Sequence, residues 1–136
     1  MSYYVEMMEK SPFREGWEWH CGDEYIEGYG TEDEHYRIIG SDDDQNLGMI
    51  ATIAKRDGYI PLPSSDQWWE RIDFNDSIEV SWYGSGQTLR LFWKKVGKGV
   101  GAIFANSLQE LLCLFVHWQK GYRWDGEKWM TEKKKN

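Results

Sequence analysis

The sequence predicts an α+β fold, mainly antiparallel sheet, with one amphipathic helix of its C-terminal half packed on that sheet. Two patterns lead to this prediction. Residues 77–83 and 87–96 alternate apolar and polar side chains on either side of a glycine-containing segment, which is typical of a β-hairpin. Residues 107–121 instead repeat leucine and aromatic side chains at helical spacing, after a serine that can cap a helix.

Length and composition place the chain among globular proteins. It has 136 residues, 16 % of them aromatic and nine of them tryptophan, whereas disordered chains are poor in aromatics. We expect one α+β domain over residues 1–130 and a basic, disordered tail over residues 131–136. Two distant cysteines, no basic leader and no long apolar run predict a cytoplasmic protein without a disulfide framework and without membrane binding.

In the first half, short strands are predicted between polar loops. Residues 16–29 alternate aromatic and polar side chains, which favours a pair of strands that turns at residues 21–23. Residues 35–39 form another strand candidate, and residues 47–54 are apolar enough for a buried strand or a short helix. The prolines within residues 61–63 indicate an exposed connection without regular structure.

In the second half, the predicted hairpin places Ile78, Val80 and Trp82 on one face of the sheet. A third strand is expected over residues 100–105. Ser107 and a glutamate three residues later form the pattern of a capping box, so the helix should begin there and cover the apolar face of the hairpin.

The end of the predicted helix and the segment after it also carry local signals. Gly121 suits the C-terminal cap of the helix, because glycine adopts the left-handed conformation that ends many helices. Residues 122–130 are then predicted to form a small hairpin around Asp125 and Gly126 through a type I′ turn.

The tryptophans divide into core candidates and one exposed candidate pair. The apolar faces of the predicted elements contain five of them: Trp17, Trp19, Trp82, Trp93 and Trp118. Trp68 and Trp69 are adjacent, so in a strand they would point to opposite sides, and at least one is a candidate for exposure. Both could instead pack beneath the preceding loop. Exposed aromatics beside a loop are favoured anchors of protein interfaces.

Charge is unevenly distributed along the chain. The formal charge is −7, but residues 1–48 hold 13 acidic against three basic side chains, and the remainder has a small positive excess. Such an acidic segment is either a solvated face or a surface that attracts a basic partner. It argues against direct binding of nucleic acid, which requires cations to neutralise phosphates. The candidate partner-binding carboxylates are Glu32, Asp33, Glu34, Asp42, Asp43 and Asp44.

The residue patterns of catalysis and of cofactor binding are incomplete. Ser85 lies between glycines but outside the nucleophile-elbow motif, and the glycines around Lys98 lack phosphate-loop spacing. Cys113 and His117 would share one helix face, but no further ligands complete a zinc site. Adjacent carboxylates in polar loops lack the contrasting environments of a catalytic pair. We therefore predict neither an enzyme nor a metal or cofactor.

Four short stretches resemble the SUKH superfamily. They are residues 58–62 (GYIPL), 84–91 (GSGQTLRL), 105–112 (ANSLQELL) and 121–125 (GYRWD), which are similar in order to the family's Ile-Pro segment, glycine turn with alternating strand, closing helix and the residues after it. This resemblance implies an α+β fold and, in bacteria, an immunity protein that neutralises a toxin, often a nuclease. It implies no catalytic residues.

The leading hypothesis is therefore a protein-binding inhibitor, most simply an immunity protein that neutralises a bacterial toxin through its acidic surface. One alternative is a phage-type inhibitor that imitates the charge of nucleic acid and blocks a DNA- or RNA-binding protein. The other alternative is a small-ligand-binding or enzymatic domain with an aromatic-lined pocket. For the first two hypotheses, the predicted partner is a basic protein.

Overall fold

The structure is a computed structural model, and its elements fall into two units. Unit 1 comprises Met1–Pro63 with Gly126–Trp129, and unit 2 comprises Ser64–Asp125 with Met130–Asn136. Whether residues 1–130 fold as one domain stays a prediction. The tail from residue 132 onward lies outside the described residues, as do residues 47–54. The structure describes residues 2–20, 22–39, 59–73, 77–83, 88–95 and 99–131.

Unit 1 contains a helix and a small antiparallel sheet. Helix α1 spans Ser2–Glu9, and the strands are β1 (Glu24–Glu27), β2 (His35–Ile38) and β3 (Ile60–Pro61). The order of the described strands is β2-β1-β3, so among them β1 is central and β2 lies at one edge. The strand predicted at residues 35–39 is thereby confirmed.

Helix α1 was not predicted, and the reason lies in its burial. Tyr4, Val5 and Met8 share one helical face and are buried, and Met7 is buried beside them. The hydroxyl of Tyr4 donates a hydrogen bond of 2.6 Å to the carbonyl of Pro63, which anchors the helix within unit 1. The stabilisation of this helix comes from these tertiary contacts, since no acidic residue in its first turn or basic residue in its last turn supports it.

Two predictions for unit 1 were wrong in part. The alternating residues 16–29 form one strand, β1, and residues 17–20 have no regular structure, although Trp17 and Trp19 are buried as predicted. Pro61 lies within strand β3, and residues 61–63 are buried, so the prediction of an exposed connection was wrong. A proline is tolerated there because, among the described strands, β3 pairs with β1 alone, and the missing N–H can face away from this ladder.

Unit 2 is built around a three-stranded antiparallel sheet. Its strands β4 (Ser77–Tyr83), β5 (Thr88–Lys95) and β6 (Gly99–Ala105) lie in sequence order, and helix α2 (Ser65–Glu70) precedes them. Helix α3 (Leu108–Gln119) follows and contacts β5, β6 and helix α2. Strands β7 (Tyr122–Trp124) and β8 (Trp129–Thr131) pair in a separate two-stranded sheet.

The central hairpin has the predicted register. Val80 pairs with Leu91, and Ile78 pairs with Trp93, so the predicted apolar residues share one face. Leu91 on this face is fully buried, as is Phe115 of helix α3. The α+β fold with a helix packed on an antiparallel sheet is therefore confirmed. The turn at residues 84–87 lies outside the described residues.

Local chemistry sets the ends of helix α3. The hydroxyl of Ser107 accepts a hydrogen bond of 3.2 Å from the amide of Glu110, as predicted. Gly121 has a φ of 92° directly after the cap residue Lys120, which turns the chain into β7. A complete capping box occurs elsewhere, at Ser64 and Gln67, where it opens helix α2.

The final turn differs from the prediction. A type I′ turn needs a positive φ at both central residues. Gly126 has a φ of 104°, but among the described residues only glycines have positive φ, which excludes Asp125. The strands are instead joined by residues 125–128, a four-residue loop. None of the described helices has the length and apolar character needed to span a membrane.

Candidate functional site

The acidic residues of the β1–β2 connection lie in an ordered loop, which we call the acidic loop (residues 28–34). The hydroxyl of Thr31 donates to the carbonyl of Gly28 at 2.7 Å and accepts from the amide of Asp33 at 3.2 Å. Gly28 and Gly30 have φ values of 68° and 83°, a conformation that favours glycine. The loop backbone is therefore held by its own hydrogen bonds.

This ordered backbone displays the predicted carboxylates together. Glu32, Asp33 and Glu34 are all exposed. The carboxylate of Glu34, at the end of the acidic loop, accepts a hydrogen bond of 3.1 Å from the amide of Gly30. The other three predicted carboxylates, Asp42, Asp43 and Asp44, lie outside the described residues.

Strand β2 continues from the acidic loop and is exposed along its whole length. Tyr36 and Ile38 share one face of this edge strand and are 51 % and 58 % exposed. An edge strand that shows large apolar side chains is a template for a partner strand and an anchor for an interface. These two residues were not singled out in the sequence: the alternation of HYRI puts Tyr36 and Ile38 on one face of a strand, but it does not show that this face is exposed.

Charged and aromatic contacts fix the geometry of this hairpin. The guanidinium of Arg37 forms an ion pair of 2.6 Å with Glu27, across the β1–β2 ladder. The hydroxyl of Tyr59 donates to the carboxylate of Glu27 at 3.3 Å, and its ring stacks on Tyr25 with 5.0 Å between centroids. Desolvation, followed by the hydrogen bond to Glu24, raises the pKa of Tyr36 to about 12.

Helix α2 separates the two adjacent tryptophans. Trp68 is fully buried, with its ring centroid 5.4 Å from that of His117, whereas Trp69 is 45 % exposed. They point in different directions as predicted, but they do so in a helix and not in a strand. A partner can reach Trp69, whereas Trp68 belongs to the core of unit 2.

A second feature is a cleft in unit 2, which we call the aromatic cleft. Its volume is about 350 Å³, and its walls include Trp93, Trp118, Tyr122, Arg123 and Trp124. The rings of Trp93 and Trp118 are 4.2 Å apart between centroids. Both tryptophans were predicted as core, but each is only partly buried.

The prediction that Trp82 is a core residue was wrong. It lies on the same sheet face as Trp93, yet it is 65 % exposed. Alternation assigns a side chain to a face of the sheet, but it does not show how far the covering helix extends along that face.

Arg123 supplies the charge of the aromatic cleft. Its guanidinium carbon lies 4.9 Å from the ring centroid of Trp118, a cation–π distance. Its Nη1 donates to the carbonyls of Trp118 and Tyr122 at 3.2 and 3.1 Å. Trp118 lies in the last turn of helix α3, where the helix dipole favours a cation. In the sequence, Arg123 stands two residues after Gly121, the predicted C-terminal cap. This position was the signal that could have indicated a cation at the end of helix α3.

Cys113 and His117 do meet on one face of helix α3. His117 Nδ1 lies 2.7 Å from the carbonyl of Cys113 and 3.6 Å from its Sγ. A carbonyl only accepts hydrogen bonds, so Nδ1 carries a proton and donates it. Burial lowers the pKa of His117 to about 4 and raises the pKa of the Cys113 thiol. Within the described ranges, no three His, Cys, Asp or Glu side chains cluster as metal ligands.

Compared with known proteins, the chain matches no family model, and no significant match was found among curated proteins or solved structures.

Proposed function

We propose that this protein is a protein-binding inhibitor of the immunity type, which neutralises a basic toxin through unit 1. The observation that carries the proposal is the continuity of the acidic loop with strand β2. Three exposed carboxylates, Glu32, Asp33 and Glu34, are followed directly by the exposed apolar side chains of Tyr36 and Ile38.

This arrangement combines the two parts of a protein interface. Large apolar side chains are the anchors that lose water on binding. The surrounding charges increase the rate of encounter and determine which partner binds. The negative charge selects a basic partner. Proteins that act on nucleic acids have such basic surfaces, because they bind phosphates.

The rigidity of the loop also supports a binding role. Hydrogen bonds from Thr31 and to Glu34 hold the acidic loop without a partner. A preformed surface loses less conformational entropy on association than a flexible one. The resemblance of four sequence stretches to the SUKH superfamily agrees with this proposal, since that family includes bacterial immunity proteins.

The test pairs the protein with the product of the gene next to its own. The two proteins are purified separately, their dissociation constant is measured by calorimetry at low and high salt, and growth is scored in cells that express both. The triple variant Glu32→Gln, Asp33→Asn, Glu34→Gln should bind at least about tenfold more weakly at low salt and protect poorly, because it removes the charges that attract the partner.

A matched control removes three exposed carboxylates from unit 2: Asp66→Asn, Glu70→Gln and Glu79→Gln. It makes the same change in net charge and should retain binding. A further variant, Tyr36→Ser with Ile38→Ser, should protect the cells less well and raise the rate at which the complex with the partner dissociates. If the acidic-loop variant and the control bind equally well, the acidic loop is not the interface.

A further inference from the structure

The aromatic cleft of unit 2 has the composition of a small-ligand site. Its volume of about 350 Å³ lies at the lower end of the range of about 300–1,000 Å³ that small-molecule pockets occupy. Three tryptophans and a tyrosine contribute to its walls, together with the guanidinium of Arg123. Arg123 is the charged residue among the described residues that line it, whereas the chain as a whole is negative.

The walls of the cleft are held in place before any ligand arrives. The indole of Trp93 lies against Gly101 of the neighbouring strand, at a position where any Cβ would overlap it. The ring of Trp118 is held between contacts with Trp93 and Phe115, at 4.2 and 5.6 Å between centroids. Rings held in this way lose little conformational entropy when a ligand contacts them.

The charge of the cleft is equally fixed. Arg123 contacts the ring of Trp118 and donates to two carbonyls at the end of helix α3. A guanidinium presents five N–H donors in a planar fork and stays protonated, so it suits a planar carboxylate. A carboxylate attached to an aromatic ring would place its charge near Arg123 and its ring against the indoles.

We infer that the aromatic cleft binds a small aromatic carboxylate, with the ring against Trp93 and Trp118 and the carboxylate beside Arg123. This site belongs to unit 2 and does not depend on the acidic loop of unit 1. It adds a ligand-binding activity to the proposed inhibitor.

The test uses the full chain and three probes. They are 2-naphthoate, its uncharged analogue 2-naphthamide, and cyclohexanecarboxylate, which has the charge but no aromatic ring. Binding is followed by calorimetry at low salt and by the indole N–H resonances of the tryptophans. We expect saturable binding of one 2-naphthoate per chain, with shifts at Trp93 and Trp118, and at least about tenfold weaker binding of each of the other two probes.

Two variants test whether the carboxylate of the probe binds beside Arg123. Arg123→Gln should weaken the binding of 2-naphthoate at least about tenfold and leave the binding of 2-naphthamide unchanged. The matched control is Arg71→Gln, which changes an exposed arginine and should bind both probes as the natural chain does. The comparison of probes on the natural chain stands even if Arg123→Gln fails to fold.

Three results would overturn the inference. The first is no saturable binding of 2-naphthoate, and the second is equal affinity for 2-naphthoate and 2-naphthamide. The third is tighter binding, at the same indole resonances, of a short acidic peptide with one central tryptophan, which would identify the cleft as a socket for a protein side chain.

Discussion

The indole of Trp93 lies over Gly101, its cross-strand partner, so closely that a Cβ built on the glycine would be 2.7 Å from Nε1 of the ring. The pairing of a large side chain with a residue that has none lets the ring lie along the sheet and form a wall of the aromatic cleft. The pair therefore links the stability of the sheet to the shape of the cleft.

Gly101→Ala should destabilise the protein by about 1–3 kcal/mol, because the methyl group forces the Trp93 ring away from its position. A glycine-to-alanine change without such a clash would stabilise the protein by about 0.4–1 kcal/mol through the unfolded state. Urea denaturation measures the difference. The control is Ala102→Gly on the exposed side of the same strand, with an expected loss below about 1 kcal/mol. Unchanged or greater stability of Gly101→Ala would show that the ring can move freely.

The stability of the protein should fall as pH falls from about 6.5 to 4 because of His117. Burial lowers the pKa of His117 to about 4. The hydrogen bond to the carbonyl of Cys113 raises this pKa, and the positive charge of Arg71 lowers it further, but burial is the largest effect. The unfolded chain then takes up a proton near its ordinary pKa of about 6.5, while the folded chain does not. Unfolding is therefore favoured by about 3 kcal/mol more at pH 4 than at pH 7.

Chemical denaturation at a series of pH values checks this expectation. In His117→Gln the stability between pH 7 and 4 should decline less steeply than in the natural chain, since the variant lacks the buried imidazole that only the unfolded chain protonates. His35→Gln, which changes an exposed histidine, is the control for a histidine replacement outside the core. Identical slopes for the natural chain and His117→Gln would contradict the assignment.

Ser64 should contribute measurably to stability as the N-cap of helix α2. Its hydroxyl accepts from the amide of Gln67 at 3.2 Å, and the side chain of Gln67 accepts from the amide of Ser64 at 2.8 Å. Ser64→Ala should cost about 1 kcal/mol in thermal or urea unfolding, because it leaves an amide of the first turn without its acceptor. Ser65→Ala, inside the helix, should have little effect. Equal effects of the two changes would argue against the cap.

The adjacent tryptophans of helix α2 should respond differently to truncation. Trp68→Ala removes a fully buried ring and should cost about 3–5 kcal/mol in urea unfolding. Trp69→Ala removes a ring that is 45 % exposed and should cost less than about 1.5 kcal/mol. If the two losses are similar, Trp69 is not available as a partner-binding anchor.

Features that depend on neighbouring residues could be predicted well from the sequence. The alternation of residues 77–83 and 88–95 specifies a hairpin because successive side chains of a strand point to opposite faces. Ser107 and Gly121 mark the ends of helix α3 because capping satisfies backbone groups within one turn of the chain. The acidic loop could likewise be recognised, since its glycines and carboxylates lie within seven consecutive residues.

Features that depend on distant residues could not be predicted in the same way. Helix α1 lies against β3, which is far along the chain, and its sequence lacks a strong local signal. Tyr36 and Ile38 were placed in a strand, but their exposure follows from the position of β2 at the edge of the sheet. Strand order is a property of the whole unit, and no pattern within residues 35–38 contains it.

The tryptophans show most clearly what the sequence alone determined and what the tertiary structure decided. The sequence assigned Trp82 and Trp93 each to the apolar face of its own strand, because the period of a strand is two residues. Only the tertiary structure decided that Trp82 is 65 % exposed and that Trp93 forms a wall of the aromatic cleft beside Trp118 and Arg123. The physical reason is that exposure depends on which surfaces helix α3 and strand β7 cover, and those contacts join residues far apart in the chain.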